Sequence, residues 1–306
     1  GYFAYFVLWL KSARAVLTSI ASVEGAPGVA MLAVPNGAID PKLVYQLEDL
    51  KKQREAFQQA KNDKGEADVL ANIATLHLVC SDLRGALEAA LAAQAISAKT
   101  KDTEGELTQL IIAGHAHVAL GEADQALQLA RHGRALCEKA RETKFAGPAR
   151  GAVTILDAAA GAMKGFAGGQ DLAPTAALLA LACLEVAKGN VDIALPAGKQ
   201  VLDIFEAAGE NGAAAVASLA LANAHVQAGQ AEDGARRKVF LPMANGHASA
   251  AAYHAGRAKR WFSALGAQSG AAAAQAILEL ERIQSCSNMI SKGAQFSYDN
   301  WNTLNP

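Results

Sequence analysis

The chain reads as an all-α protein made of repeated helix hairpins, on three observations. Roughly 70 residues are Ala, the strongest helix former, while Pro is scarce and β-branched runs are few. Apolar residues fall at the 3.6-residue spacing of helices with one buried stripe: Leu107, Leu110, Ile111, Ala113, Gly114, His117 and Val118, then, after Gly121-Glu122, Ala126, Leu127, Leu129, Ala130, Gly133 and Leu136. The same unit recurs upstream and downstream. Ala74, His77, Ser81-Asp82 and Ala86-Leu87 stand 40 residues before Gly114, His117, Gly121-Glu122 and Ala126-Leu127. Ala224-His225-Val226 repeats Ala116-His117-Val118, and Gly189 and Gly229 are again 40 apart. Hairpins this short cannot bury their stripes alone, so they need neighbours of their own kind.

In chain order, residues 1–40 come first. Tyr2 to Leu10 is wholly apolar and aromatic (Tyr2, Phe3, Tyr5, Phe6, Trp9) before Lys11 and Arg14 intervene. That run is too short to span a bilayer, which needs about 20 apolar residues. It reads as a capping helix, a membrane-surface or partner-docking helix, or the remnant of a targeting segment. The chain opens on Gly rather than Met, as a processed form or part of a longer product would. Gly25, Pro27, Gly28, Pro35 and Gly37 mark a linker. Asp40-Pro41 then caps a helix running to about Lys61, with a solvated mixed-charge face from Glu48 to Glu55.

Helical repeats occupy 41–237, interrupted by a degenerate unit. That unit has a helix from Ala149 to Lys164 and a Gly-rich break at Gly165 to Gly169. Turns are expected at Gly189 and Gly229, and Pro196 should leave its helix irregular near the start. Leu241 to Gly246 breaks the array. A C-terminal pair covers 248–291, as Ser249 to Leu265 and Ser269 to about Ser291, and the tail from 292 to 306 carries Phe296, Tyr298 and Trp301. Solvated tails are rarely so aromatic, so this one packs on the array or docks on a partner.

Gly114, His117, Gly121, Ala126 and Gly133, and again Ala74, His77, Ala86 and Ala93, resemble the small–large–Gly–Ala–small pattern of tetratricopeptide repeats. The family's first-helix aromatics and inter-repeat Pro are absent, and the period is about 40 rather than 34. The units look more like the Ala-rich, longer repeats of kinesin-light-chain type and like arrays frequent in dinoflagellate algal proteins. The resemblance implies an α-solenoid whose concave groove is lined from the first helix of each hairpin. Here that face comprises Thr75, Leu78, Val79, Thr108, Ile111, His115, Val118, Leu179, Val186, Val216, Leu219, Asn223 and Val226. With almost no basic residue among them, the face suits an apolar helix or strand of a partner, or self-packing in a tightly wound array.

Chemistry finds little footing. The formal net charge is −1 with both signs interspersed, which argues against nucleic acid. No nucleophile elbow, phosphate loop or dinucleotide fingerprint occurs, so no enzyme, small-molecule substrate or cofactor is expected. Cys80, Cys137, Cys183 and Cys286 form no CxxC pair, and three of the four read as small hydrophobes on apolar helix faces, in a reducing intracellular compartment. His77, His117 and His225 repeat one packing position, and no metal is expected.

The expectation is therefore a non-catalytic scaffold or assembly subunit with protein partners. It would be embedded through its aromatic termini in a larger complex, membrane-associated and photosynthetic or respiratory, in a plastid or mitochondrion. The alternative is a soluble adaptor that binds peptides or apolar helices reversibly.

Overall fold

A computed structural model describes residues 41–140, 146–163, 172–235 and 243–280. Eleven helices and no strand occur among them. They are α1 (Pro41–Gln59), α2 (Asp63–Val79), α3 (Leu83–Thr100), α4 (Thr103–Ala119), α5 (Ala123–Lys139), α6 (Ala146–Ala162), α7 (Ala173–Lys188), α8 (Val191–Ala208), α9 (Asn211–Ala235), α10 (Met243–Ala264) and α11 (Gln268–Leu278). The terminal segments 1–40 and 281–306, and the Gly-rich break at Gly165 to Gly169, lie outside the described residues.

Every connection that is described throughout uses one turn design. A single residue takes the left-handed conformation at Lys61, Ser81, Lys101, Gly121, Gly189, Gly209 and Gly266. The next residue's N–H reaches back to the carbonyl five positions earlier, at 2.8–2.9 Å in all seven turns, from Asn62→Phe57 to Ala267→Phe262. This is the Schellman closure of a helix C-terminus. The residue that closes one helix then caps the next, so two or three residues suffice for the reversal. Asn62, Asp82 and Asp102 accept from the N–H of Gly65, Gly85 and Gly105 at 3.0, 2.9 and 3.0 Å. From Lys61 to Gly121 the left-handed residues follow at steps of 20, and Gly189 to Gly209 is another such step. One helix with its turn is therefore the structural unit, and the 40-residue recurrence is two of them.

Each helix packs on the next, the neighbour-to-neighbour arrangement that fits a helical repeat. Two helices also cross between the halves. α7 lies on α2, α4 and α6, and α6 lies on α7, α9 and α11. α7 contributes to both apolar clusters of the molecule, through Leu179, Cys183 and Val186 to one and Ala180, Leu181 and Leu184 to the other.

That placement changes the reading of single helices. α4 is not a one-stripe helix: Leu107, Leu110, Ile111, Ile112, Ala113 and Ala116 are all 0 % exposed, and His115 is 2 %. A helix apolar on every side belongs in a core. Gly229 does not end its helix, because α9 continues to Ala235. Gln230 follows Gly229, where Glu122, Asn190 and Glu210 follow the turn glycines, and a Cβ on Gly229 would meet the Cβ of His247 on α10 at 3.6 Å. The glycine lies inside the helix, facing α10 at an ordinary contact distance, rather than at a turn. Met243 to Gly246 forms the start of α10, Leu241 and Pro242 of the expected break lie outside the described residues, and α8 runs through Pro196 without interruption. α11 ends at Leu278, short of the expected helix end near Ser291, which falls outside the described residues.

Candidate functional site

The predicted groove positions come together, but against the chain's own helices. Leu78, Ile111, His115, Val118, Leu179, Val186, Val216 and Leu219 are each no more than 3 % exposed. Thr75, Val79, Thr108, Asn223 and Val226 are half-buried. The occupant of this face on the α2–α4–α6 side is α7, and on the α7–α9–α11 side it is α6. Self-packing, one of the two occupants the apolar lining suits, accounts for the burial. Asn223 turns its Nδ2 to the Leu219 carbonyl at 3.0 Å, and its side chain stands within reach of a Cβ on Gly151 of α6.

Few large apolar side chains remain outside. Among the described residues Val44, Tyr45, Leu91, Leu265 and Leu280 are exposed, with Tyr45 at 76 %. They are dispersed over α1, α3, the α10–α11 turn and the residues just after α11. The mixed-charge face of α1 is solvated as expected, with Lys51 to Glu48 at 2.9 Å and Arg54 to Glu66 of α2 at 3.3 Å. The aromatic residues Tyr2, Phe3, Tyr5, Phe6, Trp9, Phe296, Tyr298 and Trp301 lie outside the described residues.

The repeated histidines divide into two roles. His77 and His117 sit in the last turn of their helices, where Nδ1 meets the carboxylate that follows the left-handed residue: Asp82 Oδ2 at 2.9 Å and Glu122 Oε2 at 2.6 Å. Glu185 and Asn190 make the same latch with the polarity reversed, Asn190 Nδ2 donating to Glu185 Oε2 at 2.6 Å. His225 has no such turn after it. Its ring instead joins two histidines of α10: His225 and His247 bring their Nδ1 atoms to 3.0 Å, and His254 stacks on His225 at a 5.8 Å centroid separation and 9° interplanar angle. Beside this trio, Arg257 lies over Tyr253 and Trp261 at 5.5 and 4.6 Å and donates to Glu206 of α8 at 2.6 Å.

Burial governs the titrating groups. It lowers His115 to about 4 and, with help from neighbouring histidines and cations, lowers His225 and His254 to about 3. It raises the thiols of Cys80, Cys137 and Cys183, so these sulfurs are held as weakly nucleophilic thiols. Among the described residues no group of three or more His, Cys, Asp or Glu side chains is placed to hold a metal ion. Also among them, no helix is long and apolar enough to cross a membrane.

The sequence places His247 and His254 seven residues apart, where they can share a helix face, but His225, 22 residues before His247, joins them only when α10 folds onto α9. The closure of the groove had a signal. The runs IIAGHAHVA, ALLALACLEVA and AAAVASLALANA lack a polar face, which marks helices covered all round. No protein-family model matches this chain, and no curated protein matches it.

Proposed function

We propose that the chain is a non-catalytic protein–protein scaffold, an assembly subunit built as a tetratricopeptide-like α-solenoid, whose partners dock on its ends rather than in its groove. The observation that carries this reading is the internal use of the apolar helix faces. Among the described residues α4, α7 and α9 are buried on all sides along their middle turns, and only scattered large apolar side chains stay exposed. Interfaces take their affinity from a few buried aromatic and apolar anchors. The dense supply of such anchors is at Tyr2 to Trp9 and Phe296 to Trp301. The helical body then acts as a rigid spacer between two docking segments. The groove-binding adaptor is the less supported alternative, since a peptide would have to displace α6 or α7.

The test is gentle solubilisation of native extract and a native gel, with the chain located by mass spectrometry. Tagged versions carrying Trp9→Ser with Phe6→Ser, or Trp301→Ser with Tyr298→Ser, are compared with the unaltered chain. Migration in a large complex that the substituted versions leave supports docking through the termini. Migration of the unaltered chain near its own 31.6 kDa would remove the scaffold reading.

A further inference from the structure

The contact between α9 and α10 contains three imidazoles, and its geometry restricts how many protons they can carry. His225 and His254 are each 2 % exposed, and His247 is half-buried. The two Nδ1 atoms at 3.0 Å are at hydrogen-bond distance only if one carries its proton and donates to the lone pair of the other. A second proton would set two N–H groups against each other. The parallel stack of His225 on His254 is likewise a contact for neutral rings, since two imidazolium rings at that separation repel.

The surroundings add positive charge. Lys199 on α8 and Arg257 on α10 both act on His254. Two carboxylates of α8 lie beside those cations: Glu206 holds Arg257 at 2.6 Å, and Asp203 feels Lys199 and Arg257. Tyr253 meets His254 edge-on at 5.2 Å. Of the other helices packed on α9, α6 carries Arg150 and Asp157, which pair with Glu138 and Arg134 of α5. α7 carries Glu185 and Lys188, which pair with each other, and α11 has no charged residue. On α9 itself Glu232 and Asp233 come seven and eight residues after His225.

We propose that His225, His247 and His254 form an acid-sensitive clasp, which holds α10 on α9 while the rings are neutral and releases α10 with α11 when they take up protons. The sign follows from linkage. Burial lowers His225 and His254 to about 3, below the ordinary 6.5 that they regain once exposed. The clasp is therefore at full strength above pH 6.5 and weakens as pH falls below it. Between pH 7 and 4.5 each of these rings multiplies the opening constant by about a hundredfold.

Hydrogen exchange of the full chain, corrected for intrinsic rates, reads this directly at α10. The expected result is that α10 and α11 lose protection at pH 4.5 while α2 and α3 keep theirs, and that His247→Gln with His254→Gln removes the share of His254, about half of the pH dependence on a logarithmic scale. Loss of protection in all helices together overturns a local clasp, as does an unchanged pH dependence in the variant. Should the variant fail to fold, the imidazole resonances of the unaltered chain decide. A His225 or His254 ring that titrates near 6.5 with α10 still protected overturns the proposal, and rings that stay neutral until α10 opens uphold it.

Discussion

Single residues set the turns, and their conformations give opposed expectations for two substitutions. Ser81 sits at φ +60°. The left-handed region costs an L-residue about 1–2 kcal/mol, while a glycine loses about 0.5–1 kcal/mol in chain entropy. Ser81→Gly should therefore stabilise the protein by roughly 0.5–1 kcal/mol in urea unfolding. Gly114 faces the other way. A methyl group there would drive into the side chain of Leu156 on α6, which is 0 % exposed and packed within the apolar core. The helix propensity gained, up to about 1 kcal/mol, does not offset overpacking of about 1–3 kcal/mol. Gly114→Ala should thus destabilise by about 1–2 kcal/mol, and a stabilised variant would show that α4 and α6 do not approach this closely. The turn code itself was legible: Asn62 and Gly65, Asp82 and Gly85, Asp102 and Gly105 stand in one register 20 residues apart. Comparing first helices with first helices concealed it, because that comparison returns only the doubled period.

At the scale of the element, the helices follow from composition and capping, and their boundaries from the turns. What the sequence hid was which helices are central. A run of small apolar residues suits either a hairpin's inner face or a helix sheathed by others, and only packing partners decide between them. α8 tests a different point. Pro196 lies beyond the first turn, so its missing N–H leaves the carbonyl of Asp192 without the usual partner in the helix. Pro196→Ala restores that bond and should raise stability by about 1–3 kcal/mol in the same unfolding assay. A loss would mean that a bend at Pro196 is what lets α8 pack on α7 and α9.

For the molecule as a whole, the crossing of α6 and α7 between the halves is the feature that repeat logic does not supply. A uniform array buries each unit against its sequence neighbours and leaves the first-helix face open. Here that face is covered, because α7 belongs to the apolar clusters of both halves. The interruption between Gly121 and Gly189 was visible as a lost phase, but the sequence there does not say which distant helices α6 and α7 meet. Hydrogen exchange of the isolated full chain at neutral pH, resolved to α4 and α7, tests the central claim most directly. Equal, global-scale protection of residues 107–118 and 176–187 is expected if α7 is an integral part of the core. Rapid exchange in α7 with α4 still protected would contradict it, and would return the face lined by Ile111, His115 and Val118 to the status of an open groove.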